Sequence, residues 1–258
     1  MRIGIIGLGY VGKAVQASWL GTDNTVLFHD PNINGSVSIE ELIENEPNLI
    51  FVCVPTPSNI DGSCDTSIVK STLDKLSNYN GHIIVKSTTD PEFWKQYIGV
   101  ENLWHIPEFL VARTAIHDYL NPKFIFIGGT GNNLMLLDML GYSAITTSGP
   151  ILFTDLVTAS LVKYFMNTFL ANKVVMMNQY KLLVDKLGGN WEHFTDMLKT
   201  DTRMGDSHFD VPGPDGSLGY GGACFPKDVR AIIDLVKSTD TSIGILEAVD
   251  NANNLIRK

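Results

Sequence analysis

The chain has 258 residues, 44% of them hydrophobic and 18% charged, with a net charge of −9 at pH 7. That is enough length for one large or two modest domains with a substantial core. The acidic balance excludes non-specific nucleic-acid binding as a main role, and no uninterrupted apolar run reaches membrane-spanning length.

The chain opens on RIGIIGLGYVG. Ile3, Ile5 and Ile6 suit a buried parallel strand; the run could pass for a secretory leader, but its glycines and the lack of a following small-residue cleavage pattern speak against that. Gly7, Gly9 and Gly12 form GxGxxG, in which the first glycine permits the tight turn. The second lets backbone approach a pyrophosphate, and the third lets the next helix pack against the strand. That helix is predicted over Lys13 to Leu20, with Tyr10 and Val11 at its entrance and its N-terminal amides facing phosphate. TVLFHD follows as a second strand ending in Asp30. An acid about 20 residues beyond the glycines accepts from the ribose hydroxyls of NAD and repels the 2′-phosphate of NADP.

SIEELIENEP reads as a helix and NLIFVCVPTP as a strand entering a proline-locked loop. DTSIVKSTLDKLS is a second helix pattern, and HIIVKSTTDP a strand ending in Ser87-Thr88. Such alternation implies a Rossmann-like doubly wound parallel sheet over residues 1–150. Pro55, Thr56, Ser87 and Thr88 fall at strand carboxyl ends, where ligands bind in such sheets. ENLWHIPEFL and FIFIGG are two further strand-like runs. From about Leu152 to Leu187 the apolar spacing is helical, with no Gly or Pro. This helix opens a smaller helical domain over 151–258 and offers a subunit interface. Lys163 and Asn167 are four apart and share one helix face; the lysine is either snorkelling or buried for a purpose. A loop with glycines at 205, 213, 216, 219, 221 and 222 follows. It is either disordered or shaped so that backbone can approach a ligand. The run from Val229 to the end is helical in pattern.

Three cysteines occur, Cys53, Cys64 and Cys224, with no CxxC and no zinc spacing. An odd count in a chain of this size suggests reduced thiols and a cytoplasmic setting. Cys53 lies within an apolar strand and reads as core; Cys64 lies in the polar loop NIDGSCD with no evident partner. Cys224, in GYGGACFPKD, is open to several readings on its own: packing, a metal ligand, half a disulfide or a nucleophile.

Taken in order, GLGYVG, VCVPTP, VKSTTDP, IPEFL, LVKYFMNTFLANK, TDTRMG and GYGGACFPKD resemble the UDP-glucose/GDP-mannose dehydrogenase family from residue 1 to about 250. The resemblance implies a four-electron, NAD-dependent oxidation of the C6 alcohol of a nucleotide sugar, UDP-glucose by preference. Cys224 would attack the intermediate aldehyde, and the resulting adduct would be oxidised to a thioester and hydrolysed. Lys163 and Asn167 would stabilise the oxyanion, with Asp228 and Glu108 as carboxylates near the reacting sugar. Thr88 would hold water and nicotinamide, while Lys227 would sit near the thiolate and cofactor. Phe109, Leu110, Tyr220 and Gly221 would line the sugar, and Arg203 would reach it from a neighbouring subunit of a homodimer or larger oligomer. No metal is implied.

Departures from the family pattern are Ala112 in place of a second acid, Ser160 in place of a glutamate, and an end soon after Cys224 where the family continues into a third domain. That end leads us to expect weaker nucleotide binding. Two other readings are a two-electron hydroxy-acid dehydrogenase, which needs no thiol, and a non-catalytic NAD-binding partner subunit.

Overall fold

The computed structural model describes residues 1–257 and resolves them into two compact units. One comprises Met1–Pro57 and Asp65–Lys163; the other comprises Ser58–Cys64 and the chain from Tyr164 onward. The boundary falls inside one continuous helix.

The first unit is built on a seven-stranded sheet. Its strands are β1 (Arg2–Ile6), β2 (Thr25–His29), β3 (Leu49–Val52), β4 (His82–Val85), β5 (Leu103–His105), β6 (Ile125–Gly129) and β7 (Ile151–Thr154). Their order in space is β2-β1-β3-β4-β5-β6-β7. The strands from β1 to β5 are parallel to their neighbours, as the Rossmann-like reading requires. The departure is β6, which runs antiparallel to β5, with β7 parallel to β6. The connection through 106–124 holds a 3-10 turn and one short α-helix, and it turns the chain back instead of crossing over the sheet.

Helices α1 (Tyr10–Trp19), α2 (Ile39–Glu44), α3 (Ser67–Lys75), α4 (Ala115–Leu120) and α5 (Asn133–Leu140) complete the unit. Helix α1 begins at Tyr10, ahead of the predicted Lys13, because Gly9 is its N-cap. Alternating side chains build two cores. Ile3, Ile5, Leu49 and Phe51 join Ala14, Val15 and Trp19 of α1 on one face. Ile6, Ile50 and Val52 join Leu42 of α2 and Val69 and Leu73 of α3 on the other. Burial on both faces is why these strands read as continuous apolar runs.

The predicted long helix starts later than its apolar pattern suggested. Residues Ile151–Thr154 pair as β7, and helix α6 spans Leu156–Lys186. The run ILFT satisfies either period, and its ladder with β6 decides for strand. The second unit takes α6 from Tyr164 and adds α7 (Trp191–Lys199), α8 (Phe225–Lys237) and α9 (Gly244–Ile256). The C-terminal run is thus two helices, broken after Lys237. Amphipathic α8 and α9 bury Val229, Ile233 and Val249 against Ala171 and Val175 of α6. Among the described residues no helix is long and apolar enough to cross a membrane.

Candidate active site

The first unit gathers its polar groups at the carboxyl ends of the parallel strands. The strand order reverses between β1 and β3, where an open α/β sheet leaves a crevice for a ligand. Gly7 follows β1 with φ +90°, a conformation that a side chain disfavours. A Cβ on Gly12 would lie 2.0 Å from the Gly7 carbonyl oxygen, whereas a Cβ on Gly9 would meet nothing within 4 Å. The third glycine therefore brings the helix onto the turn, and the second leaves open space beside the amides at the start of α1. Tyr10 is exposed and Val11 packs partly against the core.

At the end of β2, Asp30 accepts from Leu8 N at 2.8 Å and from Asn32 N at 3.0 Å. These backbone donors, Leu8 first, hold its carboxyl below the usual value. The acid thus braces the glycine turn while its half-buried carboxylate stays within reach of a ribose. This cradle fits a dinucleotide, with Gly9 and the first amides of α1 for the pyrophosphate and Asp30 for the ribose.

Thr56, beyond β3, donates through Oγ1 to the Thr88 carbonyl at 2.8 Å, while Pro55 is exposed. Ser87 does not face outward as expected. It is buried and donates to the Val54 carbonyl at 2.7 Å, tying the ends of β3 and β4 together. Cys53 is packed against the core as expected, and burial pushes its thiol up to about 12.

Glu108 lies after β5. Its Oε2 is 2.9 Å from Lys86 Nζ, and its Oε1 accepts from Phe109 N at 3.0 Å. Lys163 of α6 is buried; it donates to the Glu108 carbonyl and lies 4.9 Å from the centre of the Phe109 ring. Its ammonium is therefore in a built polar setting and does not snorkel. Phe109 packs edge-on against Phe124 and Phe126, and Leu110 against the core, so both side chains are engaged in packing. Ser160, at the departure from the family glutamate, is fully buried and donates to the Thr89 carbonyl at 2.5 Å. Ala112 stands exposed on a short 3-10 turn.

In the second unit, Cys224 is an exposed free thiol at the N-cap of α8. One turn on, Asp228 is 1% exposed. Its Oδ2 accepts from Asn167 Nδ2 at 2.6 Å and its Oδ1 lies 2.6 Å from Lys227 Nζ. Lys227 therefore answers Asp228 directly. A buried carboxylate needs such partners to remain charged.

The glycine-rich loop is ordered by contacts. Asn253 of α9 accepts from Tyr220 N at 2.7 Å and donates to Tyr220 O at 3.1 Å; Asn178 of α6 accepts from Gly219 N at 3.0 Å. A Cβ on Gly219 would lie 2.4 Å from Asn253 Oδ1, and one on Gly221 would lie 2.2 Å from the Arg257 guanidinium. Tyr220 is buried, with its hydroxyl donating to Asp250 at 3.3 Å. Arg203 is highly exposed and chelates Asp201 of its own loop. Cys64 is buried against Tyr164, Ile232 and Leu246. No group of His, Cys, Asp and Glu among the described residues could hold a metal.

The sequence reading missed Lys86, Asn178 and Asn253. Lys86 stands inside the quoted VKSTTDP, where a lysine directly after a buried strand was the available signal. The asparagines lie mid-helix, and nothing local announces their partners.

The dinucleotide cradle of the first unit defines a nicotinamide-dependent oxidoreductase; the second unit holds an exposed thiol one turn ahead of a buried Asp–Asn–Lys cluster. Comparison with known proteins makes this specific. The NAD binding domain of the UDP-glucose/GDP-mannose dehydrogenase family matches residues 27–139, and the central domain of that family matches 157–255. The UDP-glucose 6-dehydrogenase of Rickettsia bellii is 32% identical over 98% of this chain and 67% of its own length. That of Rickettsia felis is 34% identical over 98% of this chain and 64% of its own length. The structure of a UDP-glucose dehydrogenase from Pyrobaculum islandicum superposes with a TM-score of 0.81 at 26% identity, over 98% of this chain and 68% of that one. The chain belongs to the UDP-glucose/GDP-mannose dehydrogenase family of NAD-dependent nucleotide-sugar dehydrogenases, and spans about two thirds of the length of these relatives.

Proposed function

We propose that this chain oxidises the C6 alcohol of a nucleotide sugar, UDP-glucose by preference, to the carboxylate through a covalent adduct on Cys224. The observation that carries the reading is Cys224 itself. A free, exposed thiol caps α8 one turn ahead of a carboxylate held by Asn167 and Lys227. A two-electron hydroxy-acid dehydrogenase has no use for a thiol there, and a non-catalytic partner has no need to keep it exposed.

NAD supplies the hydride acceptor twice, once for each two-electron oxidation. The protein's groups do the rest. A base takes the proton of the C6 hydroxyl as the first hydride leaves, giving an aldehyde. The thiolate of Cys224 adds to that carbonyl carbon, and the new oxyanion is met by the Lys163 ammonium and the Asn167 amide. Loss of the second hydride from the tetrahedral carbon leaves a thioester. Water, with its proton taken by Asp228 or Glu108 and its position fixed by Thr88, adds to the thioester and expels the thiolate. The product is a sugar carboxylate, with the thiol restored.

Self-association belongs to the same reading. Phe165, Phe169, Met176, Tyr180 and Leu183 are exposed on α6 at spacings of three, four and seven residues, forming one apolar stripe. A second copy covering that stripe, with Arg203 offered to the neighbour's sugar, accounts for both features. The test of the function is a screen of UDP- and GDP-sugars with NAD, read by NADH absorbance and product mass. A sugar acid from one of them supports the reading. A two-electron product, or turnover only of a small hydroxy acid, refutes it.

A further inference from the structure

We propose that Lys86 is a positioning residue for the reaction above: its ammonium holds the Glu108 carboxylate in one orientation. This rests on the proposed function for its catalytic meaning, but the ion pair itself is read from the structure. Lys86 emerges directly after β4, with its backbone N bonded to the Val52 carbonyl at 2.8 Å. Its side chain is 6% exposed and that of Glu108 15% exposed, and they meet at 2.9 Å. A buried ammonium that meets a half-buried carboxylate so closely fixes the direction in which that carboxylate points.

The other groups facing Glu108 come from three elements. Lys163 of α6 reaches its carbonyl oxygen. Tyr119 of α4 is held well above its ordinary value by burial, and Cys53, after β3, is pushed up to about 12 by burial. Both are neutral across the working pH range. Lys86 places a cation on one carboxylate oxygen, and the Phe109 N–H is a donor to the other. The Lys86 ammonium also sits 5.2 Å from the centre of the Tyr119 ring, on the cation–π side of that ring. The geometry thus gives the carboxylate a fixed aim, which a group that positions water or takes its proton requires.

The test uses the whole chain, wild type, Lys86→Met and Lys86→Arg, carrying glutamate labelled with 13C at the side-chain carboxyl. Glu108 is assigned by the signal that Glu108→Gln removes. The expected result is a displaced Glu108 carboxyl signal in Lys86→Met, largely restored in Lys86→Arg. NAD affinity should be unchanged, while kcat should fall by at least about tenfold in Lys86→Met and recover in Lys86→Arg. An undisplaced Glu108 signal in a folded Lys86→Met protein overturns the proposal. If Lys86→Met does not fold, Lys86→Met/Glu108→Gln must, since it removes both charges together; failure of that double variant also overturns it. The NMR measurement needs no substrate. A wild-type chain that oxidises no nucleotide sugar therefore sinks the proposed function and leaves the NMR result to decide the role of Lys86.

Discussion

Asp30 has two tasks that substitution can separate. Its carboxylate braces the glycine turn through Leu8 N at 2.8 Å, and its charge faces the ribose position. Asp30→Ala removes both. Leu8 is buried, so its N–H is left without an acceptor, at a cost of about 1.5–3 kcal/mol for a lost bond to a charged group. For a chain of this size that is roughly 3–12 °C in Tm. Asp30→Asn keeps an oxygen for Leu8 N and loses only the charge, so it should melt within a few degrees of wild type.

Both variants should lose discrimination against NADP. Wild type should prefer NAD by at least about tenfold, about 1.4 kcal/mol, and Asp30→Asn should fall toward parity. The assays are a thermal melt and cofactor titrations followed by tryptophan fluorescence. pH gives an independent check. Hydrogen bonds hold the Asp30 carboxyl below its ordinary 3.8, so its stabilisation is complete above that value and is lost as pH falls through the lowered one. Asp30→Asn should therefore show a flatter acid limb of stability. An Asp30→Ala protein that melts with wild type, or an Asp30→Asn protein that keeps full NAD preference, refutes this reasoning.

Cys224→Ser should bind NAD normally and fail to release sugar acid at more than a small fraction of the wild-type rate, because a hydroxyl is a poor nucleophile near neutrality; acid production at the parental rate, read by product mass, removes Cys224 from the mechanism. Asn253→Ala strips both bonds from the Tyr220 backbone and should cost about 1–3 kcal/mol while slowing alkylation or turnover at Cys224; unchanged melting and thiol reactivity would contradict a positioning role for this clamp. The protein should sediment as a dimer or larger at micromolar concentration, and Phe169→Glu on the exposed stripe of α6 should dissociate it; a fully active wild-type monomer goes against the interface.

The parts legible in the sequence were those whose cause is local. Gly7, Gly9, Gly12 and Asp30 act through backbone conformation and a short loop, so their spacing carries their meaning. Lys163 and Asn167 lie one turn apart on α6, as any helix would place them. What stayed hidden depends on pairing across distant chain. The strand Ile151–Thr154 is set by its ladder with β6, and the reversal of β6 by the path of a connection. The motif GYGG marked Tyr220, but its partners Asn253 and Asp250 lie far along the chain. Lys86 was in plain view in VKSTTDP, yet only Glu108 reveals its use. Residues Ser58–Cys64 look like loop composition and nonetheless pack with the second unit, through Cys64.

The central claim is a four-electron oxidation through one thiol. The most direct test is the count of NADH formed per nucleotide sugar consumed, with the sugar limiting and the product identified by mass. The account predicts two NADH and a sugar carboxylate, with no free aldehyde accumulating. One NADH per sugar, with an aldehyde or ketone as the final product, would contradict it.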